Sequence, residues 1–143
     1  MAVGASDPDV DRFLSGLDPR QAALIQELRD LVSRGAPTLD EVVNSGAWLT
    51  GYLFYETRES GMVFAIGATR SASVAFHAMP WYASPELRDA YGDDLAPFAS
   101  GKSCFRFGAD AVLPRRALVA VIAAAPRFLE MRARHPSAPQ DAE

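Results

Sequence analysis

Few side chains in this sequence carry groups able to bind or transform another molecule, and they are unevenly placed. Of 14 lysines and arginines, only Lys102 is a lysine. Its compact ammonium beside Gly101 could meet an anion or a carboxylate partner. The structural alternative pairs it with Glu41 or Asp110 at a sheet edge. Glu41 stands three residues after Thr38, the spacing of a helix capping box; its chemical alternative is a pocket carboxylate or metal ligand. His77 and His135 are the two imidazoles. His77 follows Phe76 and precedes Trp81 and Tyr82, so it could line an aromatic pocket, bind a metal or move protons. The bland reading is a hydrogen-bonded residue at a strand end. Cys104 is the one cysteine, which excludes an intrachain disulfide and a cysteine-rich zinc site. It reads as a small hydrophobe; as a nucleophile it would need His77 beside it. Gly101-Lys102-Ser103 lacks the upstream glycine of a phosphate loop, and no nucleophile elbow is present. No catalytic residue is therefore nominated.

The aromatic residues Trp48, Tyr52, Phe54, Phe64, Phe76, Trp81 and Tyr82 crowd the middle of the chain. Most belong in a core. If Trp48, Tyr52 and Trp81 share the sheet face turned away from the helices, they line an apolar cleft of the kind that binds small ligands, with Arg106 supplying charge. The candidate ligand-binding set is Glu41, Trp48, Tyr52, His77, Trp81, Lys102 and Arg106.

These residues need elements to position them. Asp7-Pro8 and Asp18-Pro19 are cap-then-proline helix starts. Val10, Phe13, Leu14 and Leu17 form the apolar face of a first helix. Leu24, Ile25, Leu28, Leu31 and Val32 form that of a second, which Gly35 and Pro37 stop. The Thr38/Glu41 box predicts one further helical turn. The period then changes. Residues 48–55, 62–66 and 73–79 read as three strands of an antiparallel meander, with turns at Glu59-Ser60-Gly61 and near Thr69-Arg70. Pro80 ends the meander. Ser84-Pro85-Glu86 starts a helix faced by Leu87, Ala90 and Tyr91 and stopped at Gly92. Residues 102–107 form a short strand, with Cys104 and Arg106 on one face and Phe105 and Phe107 on the other. Pro114 opens the last helical segment, where Leu118, Val121, Ile122, Ala125, Phe128 and Leu129 keep helical spacing. Pro126 inside that pattern predicts a kink or break near Ala124-Ala125, with helix resuming to about Arg134. The expected order is α-α-β-β-β-α-β-α. It describes an α+β fold, an antiparallel sheet of about four to five strands packed against N- and C-terminal helices.

At 143 residues the chain has the length of one domain, expected over residues 1–134, with a disordered polar tail at 135–143. The apolar share of 49% and charged share of 22% are those of a folded soluble protein. A net charge of −4 argues against nucleic acid as partner. It conceals an asymmetry: residues 1–100 carry a net −7, residues 101–134 a net +5 and the tail −2. The basic block could attract an acidic protein partner. No apolar run approaches the roughly 20 residues that span a bilayer, and the start of the chain lacks the pattern of a signal peptide. A cytoplasmic location, no membrane partner, and a monomer or homodimer are the expectations.

One stretch has a family look: Phe98-Ala-Ser-Gly-Lys102-Ser-Cys-Phe105-Arg-Phe107-Gly-Ala-Asp110-Ala-Val-Leu113-Pro114. An aromatic, a small-Lys pair, a strand ending in Phe, an Asp and an apolar-Pro helix start resemble the YdhG-like family. Its members are often labelled intracellular iron chaperones of frataxin type. Upstream, Glu41-Val-Val-Asn-Ser-Gly46 is similar to the family's entry into its first strand. The resemblance spans roughly residues 9–134. Trp48 stands where the family usually has a proline, and Ser71-Ala72-Ser73 where it often has Asn-His. The resemblance implies a non-enzymatic binding protein, with iron as the implied ligand. Oxygen ligands suit that metal, and the candidates are Glu41, His77, Glu86, Asp89, Asp93 and Asp94, with Asp7, Asp9 and Asp11 as a second acidic group. Several of these acids also serve as helix caps or first-turn charges. The alternatives are a small-molecule-binding or catalytic cleft around Trp48, His77, Trp81 and Lys102, and a protein-interaction domain.

Overall fold

In the computed structural model, residues 7–44, 52–69 and 72–134 are described. Trp48, His135 and the expected disordered tail lie outside them. Two helices open the chain, α1 (Asp7–Ser15) and α2 (Pro19–Gly35). The Asp18 carboxylate accepts from the Arg20 N–H at 2.8 Å, so the expected cap-then-proline start is in place. Strands β1 (Asp40–Asn44), β2 (Tyr52–Thr57), β3 (Gly61–Ala68) and β4 (Ser73–Ala78) follow. After them come α3 (Met79–Ala83), α4 (Pro85–Leu95), a 3-10 turn (Ala96–Phe98), β5 (Cys104–Gly108), α5 (Arg115–Ala123) and α6 (Ala125–Arg134). The five strands form one antiparallel sheet in sequence order. The fold is α+β.

Alternation along the strands sorts side chains onto two faces. One face carries Val43, Leu53, Tyr55, Phe64, Ile66, Val74, Phe76, Ala78, Phe105 and Phe107, and these pack with the helices in a single core. The α2 stripe Leu24, Ile25, Leu28, Leu31 and Val32 is buried against it, as are Leu118, Val121, Ile122, Ala125 and Phe128 of α5 and α6. Each such side chain contributes roughly 1.5–3 kcal/mol through burial. Phe64 and Phe76 stack with centroids 5.7 Å apart. Gln21 is the buried polar exception on α2. Its amide donates to the carbonyls of Thr69 at 3.1 Å and Ser73 at 2.8 Å, tying the β3–β4 connection to the helix.

Three sequence expectations change. The extra helical turn at Thr38–Glu41 is instead the start of β1, because the Glu41 side chain is taken up by α2 and β2 rather than by a helix N-terminus. Pro80 does more than end the meander: it sits in the first turn of α3, where its missing N–H costs nothing. Gly92 does not stop α4, which runs on to the fully buried Leu95, whose packing outweighs the glycine's low propensity; Ala90, expected on the apolar face, is exposed. The break at Pro126 appears where expected. Ala124 separates α5 from α6, and both halves bury apolar side chains. No described helix is long and apolar enough to cross a membrane.

Candidate functional site

The second face of the sheet is a different surface. Val42, Phe54, Ala65, His77 and Cys104 are successive partners across all five strands. At 4.7–4.9 Å between strands, this row is about 19 Å long. The next row runs Tyr52, Gly67, Ala75 and Arg106. Neither row belongs to the helix-packed core. Their chemistry is graded: aromatic on β2, small on β3 and at Ala75 of β4, polar at His77 and along β5. A bulge shapes one end. Tyr55 pairs with Phe64 and Glu56 with Met62, which leaves Val63 as the extra residue and lets it join the core.

Glycine on β3 lets one β2 ring, that of Tyr52, lie down over it. A β-carbon added to Gly67 would fall 2.6 Å from the Tyr52 ring. Tyr52 and Phe54 meet edge to face, centroids 6.2 Å apart. Burial raises the Tyr52 phenol above its ordinary range, and the phenol also feels the charges of Cys104 and Arg106 on β5.

His77 is half-buried, and desolvation lowers its pKa, favouring the neutral ring. Its Nε2 is 3.1 Å from the Ser103 hydroxyl. Cys104 is its cross-strand partner, so the adjacency that a Cys–His pair requires is met in register. Burial nevertheless pushes the thiol up, with Arg106 opposing it only in part. A thiol held protonated is a poor nucleophile at neutral pH. The groups on this face are suited to holding a molecule rather than attacking one.

The sheet divides the candidate residues. Tyr52, His77 and Arg106 share this second face, which the described helices leave uncovered although Ala65 and Ala75 at its centre are buried. Glu41 and Trp81 lie on the opposite side, so the expected common cleft does not form. The reason is strand parity: Glu41 is the partner of Tyr55, which points to the helices. There Glu41 is buried, accepting from Arg29 Nε at 2.7 Å, from the second Arg29 guanidinium nitrogen at 3.0 Å and from the Tyr55 hydroxyl at 2.5 Å. Trp81 packs edge to face on Phe105, centroids 5.5 Å apart. Lys102 is exposed in the turn before β5, beside Gly101, whose φ of +111° only glycine adopts readily. Neither acid expected to pair with it does so: Glu41 holds Arg29, and Asp110 holds Arg20 at 3.2 Å. Trp48 lies outside the described residues.

The acids Glu86, Asp89, Asp93 and Asp94 are all exposed on α4, and Asp9 pairs with Arg12 on α1. Among the described residues, no three His, Cys, Asp or Glu side chains are placed to hold a metal ion. The donor set that iron would need does not fit this arrangement. A depression elsewhere, between α4 and α6, is rimmed by Glu86, Glu130, Arg127 and Arg134 and brings no other candidate into play.

Several members of the uncovered face were not site candidates in the sequence: Val42, Phe54, Ala65, Gly67, Ala75 and Ser103. The available signal was the run of small residues inside strand-forming segments, which marks a close approach. Only register shows that they adjoin. Conversely, the residues carrying the family resemblance have structural roles here. Phe98 packs on Phe107 at 4.9 Å, Phe105 and Leu113 are buried, Asp110 binds Arg20, and Pro114 caps α5.

No protein-family profile matches the chain, and no curated protein matches it. Among solved structures, it is similar to the crystal structure of YdhG, a DUF1801-family protein from Bacillus subtilis. The TM-score is 0.60 at 14% identity, covering 86% of this chain and 90% of that one. The two share a fold.

Proposed function

We propose that this chain is a YdhG-like binding protein whose uncovered sheet face takes a flat, largely apolar small molecule. The observation that carries the reading is the graded double row: half-buried rings of Tyr52 and Phe54 on β2, the buried small residues Ala65, Gly67 and Ala75 on the middle strands, and hydrogen-bonding groups at the far side. Apolar surface with a few placed polar groups is the usual composition of a ligand site. The fold likeness to YdhG and the pattern in residues 98–114 support the family assignment. The protonated thiol and neutral imidazole favour binding over catalysis. The iron reading implied by the resemblance finds no support in the dispersed carboxylates.

The neutral fluorophore N-phenyl-1-naphthylamine tests this. Saturable, blue-shifted fluorescence is expected, weakened at least tenfold by Ala65→Phe, which crowds the buried position between Phe54 and His77, and unchanged by Val119→Asp on the exposed side of α5. Absence of saturable binding, or indifference to Ala65→Phe, overturns the proposal. Stoichiometric ferrous-iron heat in calorimetry, lost on changing Asp89, Asp93 and Asp94 to Asn, would restore iron in its place.

A further inference from the structure

We infer that the ligand of this face carries an anionic group, held at Arg106. The inference rests on the reading above and specifies its ligand.

Arg106 alternates outward between the buried Phe105 and Phe107 and is exposed on the uncovered side. The described ion pairs engage Arg12, Arg20, Arg29 and Arg115; among the described residues Arg106 has none. Its row neighbours are Ala75 and then Gly67 under the Tyr52 ring. The exposed guanidinium thus stands at the end of a row whose Ala75 and Gly67 are buried, Gly67 beneath the half-buried Tyr52 ring, and a charged ligand group lying over that ring would meet it without displacing a partner among the described residues. Gly108, two residues on along β5, has open space where a β-carbon would stand, which leaves room beside it. Residues 99–109 contain no acid. The carboxylates on the same face, Asp40 and Glu56, pair with one another across β1 and β2, two rows from Arg106 and at the far edge of the sheet. An anion is therefore attracted to one corner and repelled from the other, which orients an amphipathic molecule across this face. Arginine suits this role because its planar fork donates two parallel hydrogen bonds to a carboxylate, sulfonate or phosphate. The Tyr52 ring over Gly67 carries a phenol that burial keeps protonated, a further donor on this face.

The test compares two probes with the same ring system: neutral N-phenyl-1-naphthylamine and the sulfonate 1-anilinonaphthalene-8-sulfonate, at low salt. In the wild type the sulfonate is expected to bind at least fivefold more tightly, with a preference that shrinks as ionic strength rises. Arg106→Gln should bring the ratio of the two affinities to about one without weakening the neutral probe. Arg106→Lys, which keeps the charge but not the fork, should retain part of the preference. Circular dichroism checks that each variant is folded. If both probes bind equally and Arg106→Gln changes neither, the inference fails while the proposed binding face stands. If neither probe binds, the proposed function fails and the inference with it. Binding that disappears as protein concentration rises, together with dimer formation in sedimentation, would assign the face to a second copy and overturn the inference.

Discussion

The ring of Tyr52 lies across Gly67 of the neighbouring strand, with three ring atoms 2.6–2.7 Å from where a glycine β-carbon would stand. This contact sets the shape of the candidate site. It tips an aromatic side chain down onto the sheet, so that the ring covers Gly67 and becomes part of the surface of this face.

Gly67→Ala should therefore cost about 1–2 kcal/mol, the usual cost of overpacking. In a Tyr52→Ala background the same change should be neutral or slightly stabilising, because alanine is favoured over glycine in a strand by about 0.5–1 kcal/mol. Urea unfolding of the four proteins measures the coupling. Equal costs in both backgrounds would mean that the ring does not occupy this position.

The Arg29–Glu41–Tyr55 cluster joins α2 to β1 and β2. The Glu41 side chain is 7% exposed and that of Arg29 is 23% exposed, so the pair is only weakly screened by solvent. Arg29→Met leaves a buried carboxylate without its cation and should cost about 3 kcal/mol. Adding Glu41→Gln removes the stranded charge and keeps an acceptor for the Tyr55 hydroxyl, so the double variant should recover about half of that loss. Denaturant midpoints decide this; a double variant as unstable as the sum of the single ones refutes the coupling.

His77 predicts an acid limb in stability. Its folded pKa is depressed by burial, so the unfolded chain takes up the proton first. The contribution of neutral His77 is present above the ordinary histidine value of about 6.5 and is lost as pH falls below it, through the folded pKa. Melting temperature in the wild type should fall across that range more steeply than in His77→Gln. Parallel curves would show that the ring is not desolvated.

Tyr55 acts at the opposite end of the pH scale. Burial and the Glu41 carboxylate both raise its folded pKa well beyond the ordinary tyrosine value. Its contribution is intact below about pH 10 and is lost as pH rises above it. Tyr55→Phe should flatten the alkaline limb of the stability curve while lowering stability at pH 7 by about 2 kcal/mol, the worth of one hydrogen bond to a charged group.

Ser84 caps α4, accepting from the Leu87 N–H at 3.2 Å. Ser84→Ala should cost about 1 kcal/mol, a drop of about 4 °C in melting temperature for a domain of this size. Differential scanning calorimetry measures it.

Much of this molecule is written locally. Asp18-Pro19 and Ser84-Pro85 start helices because a side-chain oxygen and a fixed φ act within one turn. Pro126 separates α5 from α6 because a missing N–H and a ring clash are felt within four residues. The alternation Cys104-Phe105-Arg106-Phe107 orients its own side chains, since a strand has a two-residue period. The α+β class and the meander follow from such signals.

The candidate site is not local, and the same sequence is ambiguous there. Thr38 and Glu41 have capping-box spacing, but Glu41 finds stronger partners in Arg29 and Tyr55, and the backbone extends. Trp81 and Tyr52 are both aromatic residues near strands, yet one packs on Phe105 in the core and the other lies over Gly67 on the uncovered face. Which face a residue joins depends on cross-strand register, where a shift of one residue exchanges the faces. From sequence come local conformations and the residue types available; register and the competition among distant partners decide which of those residues become neighbours.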